Sequence, residues 1–385
     1  MNVRFSSFVG PLLLAAGATA SPPGETFFTN RAAHTFEIEI SRSNIVALRR
    51  EPREYVPATV RCDGVGYTNV GVHIKGVATF RPIDDKPSLT LNFSKFAPKQ
   101  RFHGLRKIHL NNGKEDPSFL CEAVSAEMFA AAGLPVARVT HASARLNGRE
   151  LGAYAAIEGF TEEFLERYFT QTKGNLYDSG FRKDVNAQLE KLSGKKPHDW
   201  ADLRQLAGAA RTPDLMERWE RLSRSLDTNN FARYLAMQVL TANWDGYAMY
   251  KNNYRIYHDP TSDRLFFMPH GMDQMFARPT MPMVPVWQGL VANAFLETAE
   301  GQALYHQQVA LLYTNTYHTE KLVSRVDELA ARVRPLLVAG HDVPPEEHEM
   351  LVDLLRRQVV QRGNFIGQQF GTTNWMTPRR WVARP

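Results

Sequence analysis

The stretch TANWDGYAMYKNNYRIYHDP, residues 241–260, sets Asp245 ahead of the adjacent pair Asn252 and Asn253, and FFMPHGMDQMFARP then adds Asp273. Carboxylates are costly to bury without a partner, so acids among this many aromatics call for a cation, a ligand or a polar network. Two carboxylates and an amide oxygen are hard donors, which suit Mg²⁺ or Mn²⁺ better than zinc. An acid, a downstream asparagine, a strand and a second acid also follow one another in phosphoryl-transfer loops. There the first acid takes a hydroxyl proton while the asparagine and second acid hold metal. The common literal signatures of such loops are absent: the chain reads Asn243-Trp244-Asp245 and Met272-Asp273-Gln274. On spacing alone, a helix cap followed by a buried polar turn explains the same residues.

The elements that must position these groups fall into two kinds. From His34 to Ile40, HTFEIEI alternates apolar and polar residues, as a half-buried strand does. PATVRCD, VGVHIKG, SLTLNFS and LRKIHLNN continue the pattern, each bounded by Gly, Pro, Asp or Asn. EDPSFLCEAVSAEMFAAAG then reads as a helix, with Asp116 as cap, Pro117 at its first position and Gly133 at its end. Two further strands, ARVTHASARLN and LGAYAAIEG, meet at Asn147-Gly148, a hairpin turn. Residues 35–160 therefore predict a strand-rich, mainly antiparallel lobe with one long helix. After Thr161 the period becomes helical, interrupted by the hairpin NNYRIYHD and DRLFFMP around the acidic loops. Residues 161–385 predict a helix-rich lobe carrying those loops, with Lys191–Pro197 as an exposed loop. The fold class is α+β, with a cleft between the lobes as the natural ligand site.

Composition narrows the function classes. With 43% apolar and 22% charged residues, the chain has the make-up of a folded globular protein. Residues 1–20, MNVRFSSFVGPLLLAAGATA, have the basic start, apolar run and small-residue end of a secretory signal, followed by a linker over 21–34. This predicts export to a periplasmic or extracellular space. No later run approaches the ~20 apolar residues of a membrane span. The net charge of +6 is a mild excess without any nucleic-acid signature, so no nucleic-acid partner is expected. Cys62 and Cys121 allow one disulfide at most, and no HExxH or GxSxG motif points to a zinc or serine hydrolase.

The ordered segments GVHIKGVATF, KPSLTLNF, FHGLRKIHLNN, DPSFLCEAVSAEMFAAAGLPVAR, LNGRELGAYAAIEGF, KGNLYD, NWDGYAMYKNNYRIY and FMPHGMDQMFA resemble the spore-coat H (CotH) family of atypical, secreted protein kinases. The resemblance runs from about Thr35 to Phe276. It implies a bilobal kinase-like fold that uses ATP with Mg²⁺ or Mn²⁺ and phosphorylates Ser/Thr of an unknown protein acceptor. It makes Asp245 the catalytic acid–base residue, Asp273 the main metal ligand, and Asn253 or Asn252 a further metal ligand.

Phosphoryl transfer also needs a cation on the non-transferring phosphates and a group to hold it. Lys75 and Lys86 are the candidates, and Lys86 matches the family's lysine before the SxxLxF strand. Its carboxylate partner is expected on the helix at 118–132. Taking Leu120, Val124, Met128 and Ala131 as the apolar face puts Glu127 at the edge and Glu122 nearly opposite, so helix phase selects Glu127. Glu158 ends the strand LGAYAAIE where a hinge would fall, and either contacts the adenine or terminates the core. Thr79 and Arg81 are phosphate donors in a cover that otherwise reads Val77-Ala78 where the family shows a Gly-Asn-Ser type of turn. Gly271 stands where family members often carry a further acid, and Cys121 and Ala123 stand where they often carry Arg and Lys. These departures motivate a second reading, a pseudokinase acting as a surface or extracellular binding protein.

Overall fold

A computed structural model describes residues 21–30, 32–340 and 343–370; the expected export signal lies outside them. Within 21–34, helix α1 (Glu25–Thr29) sends Phe27 into an apolar core, so part of the expected linker is structural.

Seven strands close into a barrel: β1 (His34–Glu39), β2 (Val56–Cys62), β3 (Val65–Lys75), β4 (Ser88–Asn92), β5 (Lys107–Asn111), β6 (Val139–Leu146) and β7 (Arg149–Glu158). Around the barrel the order is β1-β2-β3-β4-β5-β7-β6. Every pair is antiparallel except β1 with β6, which closes the ring in parallel. A closed barrel leaves no sheet edge exposed. Period-2 alternation sends Val72, Ile74, Leu89, Leu91, Ile108 and Leu110 inward. It leaves His73, Thr90 and His109 side by side on the outer face, one register row from Lys75 and Ser88. Asn147 and Gly148 both have positive φ, as the tight β6–β7 turn requires. Helix α2 (Arg42–Arg50), capped by Ser41, was not legible from apolar period because only Leu48 is buried.

Helix α3 (Cys121–Ala131) begins later than predicted. Its N-cap is Leu120, without a side-chain cap, and Asp116 instead accepts a 2.8 Å bond from the Cys121 N–H across an intervening turn. Gly133, at φ +71°, lets the chain leave the helix. Although inserted in the strand-rich half, α3 packs into the core of the other half.

That second half comprises α4 (Glu162–Leu165), β8 (Asn175–Asp178), β9 (Glu190–Ser193), α5 (Ala201–Ala210), α6 (Leu215–Ser225), α7 (Thr228–Leu240), α8 (Tyr247–Tyr250), β10 (Tyr254–Asp259) and β11 (Arg264–Pro269). It continues through α9 (Leu290–Leu296), α10 (Ala299–Asn315), α11 (Thr319–Gly340) and α12 (Pro345–Phe370). The predicted hairpin is β10–β11, widened by β8 and β9 into a four-stranded sheet ordered β11-β10-β8-β9. Thus the expected 191–197 loop begins as a strand, and only its later part is a plain exposed connection. A smaller apolar cluster around Ile157, Phe160, Phe164 and Met268 joins β7 to this sheet at the hinge. Among the described residues, no helix is long and apolar enough to cross a membrane.

Candidate active site

The outer face of β3, β4, β5 and β7 and the loops that follow α7 and β11 carry the site. Asp245 lies after α7, where Ala242 turns with φ +50°. The Asn252 amide donates to both Asp245 oxygens at 3.2 Å, and the Asn253 amide donates to one at 2.7 Å. These bonds turn the two amide nitrogens toward the acid. Lys251 and Asn253 take left-handed conformations, φ +56° and +50°, so that both amides reach back.

Two contacts bring the Asp273 loop alongside. The Phe276 N–H donates to the Thr241 carbonyl at 2.8 Å, pinning the loop to the end of α7. Gly271, at φ +57°, abuts the Asn253 amide, and a Cβ there would stand 2.8 Å from its Oδ1. The glycine at this position is therefore required locally by the turn and by the asparagine.

On the barrel side, Lys75 ends β3 and donates to Asn111 Oδ1 on β5, while Asn111 Nδ2 donates to Glu122 Oε2 on α3 at 2.9 Å. Glu122 is only 4% exposed. Burial pushes its carboxyl up, against the pull of Lys75 and Asn111, and burial likewise pushes the Lys75 ammonium down. Asp273 is raised well above the ordinary carboxylate range by burial, then by Glu122, Glu115 and Asp116. Burial raises Asp245, and Glu115 adds to it. Asp116 is pushed up to about 6 by burial, despite bonds from Ser118 and backbone N–H groups. Acids raised by a neighbouring carboxylate are relieved by a nearby positive charge, which is the chemistry a hard divalent cation supplies.

Lys107 and Arg255 lie within charge range of the same outer-face residues. Burial lowers Lys107 and His109, with Arg255 acting on both and Lys75 also on His109. Arg255 bonds Asp178 at 2.8 Å and lies 4.2 Å from the centre of the Phe160 ring. His270, lowered to about 4 by burial and then by Arg255, is neutral there. Acids with cations nearby are complementary to a metal-bound polyphosphate.

The pairing predicted from helix phase is not the one formed. Glu127 faces out and accepts bonds of 2.8 Å from Nε and Nη2 of Arg325 on α11. Glu122, placed opposite by phase, is the buried glutamate. The reason is that α3 is buried on nearly all sides, so an apolar stripe does not mark its inner face. Lys86 sits with its ammonium 5.1 Å from the Phe119 ring centre and 5.2 Å from that of Tyr154. Glu158 is at the hinge but fully buried, its carboxylate held by Arg138 at 2.8 Å and Arg167 at 2.6 Å. It ties the hinge together, and its oxygens face arginines. Arg81 pairs with Asp85 at 3.1 Å in the exposed loop after β3, where Val77 is 73% exposed. Asn112 fastens this loop by bonds of 3.1 Å to the Thr79 carbonyl and 2.9 Å to that of Lys86. Sequence reasoning missed Asn111, Glu115 and Glu122; the run Lys114-Glu115-Asp116 ahead of a helix was the one visible signal. Both cysteines are free thiols, with no bridge between them.

An α+β chain with a closed barrel and a helix-rich half defines the class. The family described as CotH kinase protein matches residues 72–364, and the chain belongs to that family. It is similar to inner spore coat protein H of Bacillus subtilis, 24% identical over 210 residues that make up 51% of this chain and 57% of that protein. It is also similar to invasin CotH2 of Rhizopus delemar, 23% identical over 256 residues, 56% of this chain and 42% of that one. The chain thus spans about half the length of these curated relatives. Among solved structures, the proinflammatory kinase CtkA of Helicobacter pylori superposes with a TM-score of 0.35 at 11% identity, covering 74% of this chain and 95% of that one. The HipA–HipB–operator complex of Shewanella oneidensis gives 0.29 at 12% identity, covering 89% and 73%. Superpositions this loose leave the family match as the basis of the kinship.

Proposed function

We propose that the chain is a kinase of bilobal, kinase-like fold that binds ATP with Mg²⁺ or Mn²⁺ and passes the γ-phosphate to a Ser/Thr hydroxyl of a protein acceptor. The observation that carries this reading is the chain Lys75–Asn111–Glu122, reaching from barrel to α3, within charge range of Asp273. Lys75 is the residue placed to meet the non-transferring phosphates, and Glu122, acting through Asn111, holds it there. Asp273 and the amide oxygen of Asn253, with Asn252 beside it, would hold the metal. A bound divalent cation supplies charge neutralisation on the phosphates.

Asp245 orients the acceptor hydroxyl and takes its proton as the hydroxyl oxygen bonds the γ-phosphorus and the bond to the β-phosphate oxygen breaks, releasing ADP. The donated bonds from Asn252 and Asn253 favour its ionised form and fix its direction. Most of the rate comes from positioning and charge, since there is little covalent work for the protein. Action outside the cytoplasm belongs to the same proposal and rests on the sequence of residues 1–20.

The test is transfer of label from [γ-³²P]ATP to casein or to the protein itself in Mn²⁺, comparing wild type with Asp245→Ala, Asp273→Ala and Lys75→Ala. Incorporation by wild type and loss in all three variants is expected. Equal incorporation in all four would remove the catalytic reading. Metal-dependent ATP binding without any transfer would assign the chain to the alternative, a binding protein built on the same cleft.

A further inference from the structure

At the end of β3 far from Lys75, His34, Cys62 and Asp63 bring three ligand atoms within 4.8 Å of one another. Ten residues of strand separate this corner from the cleft end of β3, about 30 Å at ~3.3 Å per residue. We propose that the His34 Nδ1, the Cys62 sulfur and the Asp63 carboxylate form a binding site for a thiophilic divalent cation of the zinc class.

The arrangement is built by the backbone. Cys62 ends β2, Asp63 and Gly64 make the two-residue turn to β3 with φ +50° and +84°, and His34 begins the neighbouring strand β1. The Thr35 N–H donates to Asp63 Oδ1 at 3.0 Å, which fixes the carboxylate. His34 Nε2 lies 2.8 Å from the Phe27 carbonyl. A carbonyl only accepts, so Nε2 carries a proton, and Nδ1 is the nitrogen turned to Asp63 Oδ2, 2.6 Å away. Ligating histidines are oriented in this way, with the second ring N–H on a carbonyl or carboxylate. The Phe27 ring stacks on the imidazole at 4.0 Å between centres, holding its plane.

The ligand types select the ion. One thiolate, one imidazole and one carboxylate suit zinc or cobalt, whereas magnesium and calcium take all-oxygen sets. Three protein ligands leave a fourth tetrahedral position. Asp63 is 43% exposed, so that position is reached from solvent. Burial, with Asp63 next to it, pushes the Cys62 thiol up. A bound cation supplies the positive charge that lets the sulfur ionise. Binding releases the thiol proton. The ion would staple the segment bearing Phe27, which fills the barrel, to the β2–β3 turn.

Co²⁺ is the probe, titrated into the chelator-stripped full chain and followed by absorption. One thiolate-bound Co²⁺ per chain is expected, with a thiolate-to-cobalt charge-transfer band and tetrahedral visible bands, displaced by Zn²⁺. Cys62→Ser should abolish the charge-transfer band, while Cys121→Ser and Asp273→Asn leave it intact. Asp63→Asn, at the partly exposed ligand, should weaken Co²⁺ binding by roughly 10-fold or more. Because Cys62 is buried, each variant's metal-free melting is compared with wild type, and Asp63→Asn carries the test if Cys62→Ser does not fold. Absence of the charge-transfer band in wild type, its survival in Cys62→Ser, its loss in Cys121→Ser, or unchanged affinity in Asp63→Asn would overturn the proposal.

Discussion

The hinge and the acidic end of the cleft both bury carboxylates, and they treat them in opposite ways. Glu158 at the hinge lies between Arg138 and Arg167, and Asp178 on β8 likewise pairs with a guanidinium, that of Arg255. Burial alone would raise Asp178, but Arg255, helped by His270, holds it below the ordinary range. In the cleft Glu122, Glu115 and Asp116 raise Asp273 on top of burial, and Asp116 raises Glu122. Lys75 pulls Glu122 down without reversing the shift. The ion-paired Glu158 and Asp178 are neutralised within the protein, whereas the acidic end is where we propose that a cation from outside completes the charge balance. Buried ion pairs are weak evidence for stability, yet breaking one by removing a single partner is costly. The two regions should therefore fail differently when mutated.

Removing an acid from the cleft gives the largest effect on activity and the opposite effect on stability. Asp273→Asn is expected to lower label transfer on the order of 10³-fold. In the metal-free protein it should melt higher by roughly 2 °C at about pH 7. The sign follows from linkage: a carboxyl raised in the folded state costs stability above its unfolded pKa, and the cost grows until pH passes the folded value. The variant's advantage should therefore shrink toward about pH 4, where the wild-type carboxyl is protonated in the unfolded chain too. Added Mn²⁺ should restore the order, stabilising wild type by mass action and leaving the variant unmoved. A variant that melts lower than wild type without metal would show that the cleft acids are as settled as the hinge.

At the hinge the expectation reverses. Glu158→Ala leaves two guanidinium groups facing a cavity and should cost about 3–5 kcal/mol of unfolding free energy, read by denaturant titration. The folded fraction should retain metal affinity, since the carboxylate points at arginines. A loss below about 1 kcal/mol would mean that water replaces the acid and the hinge is not closed electrostatically.

This contrast was only partly visible in the amino-acid string. Strands showed themselves through period-2 alternation, because the barrel has one dry interior and the outer residues of β3–β5 are polar. The parallel seam between β1 and β6 left no local mark, since closure is a long-range event. Asp245, Asn252, Asn253 and Asp273 stood out as polar residues among aromatics, and their loops do meet through Thr241, Phe276 and Gly271. Glu122 was hidden because period analysis needs a wet face, and α3 has almost none. The hinge arginines were equally hidden, as Arg138 and Arg167 lie 20 and 9 residues from Glu158.

The two glutamates of α3 sharpen the comparison within one helix. Glu122→Gln keeps the size and one hydrogen bond but removes the charge that Lys75 faces through Asn111. Its kcat/KM for ATP is expected to fall roughly 30-fold, mostly through KM, as the lysine loses its restraint. Glu127→Gln breaks a pair with Arg325 whose two side chains are 46% and 34% exposed. Such pairs contribute about 0.2–1 kcal/mol, so activity should change less than about 2-fold. Equal losses in the two variants would mean that α11, through Arg325, positions α3 as firmly as the buried acid does.

Gly271→Ala adds a single methyl group and tests whether the two acidic loops form one unit. At φ +57° an alanine is strained, and its Cβ would press on Asn253 Oδ1 at 2.8 Å. The strain alone costs about 1–2 kcal/mol. Relief by moving Asn253 would loosen its 2.7 Å bond to Asp245 and shift the amide oxygen assigned to metal. Mn²⁺ affinity, followed by its paramagnetic effect on water relaxation, should weaken roughly 10-fold, about 1.4 kcal/mol. Denaturant cooperativity should stay unchanged. If metal affinity holds while stability drops, Asn253 is a brace for Asp245 alone, and the metal is left to Asp273 with Asn252.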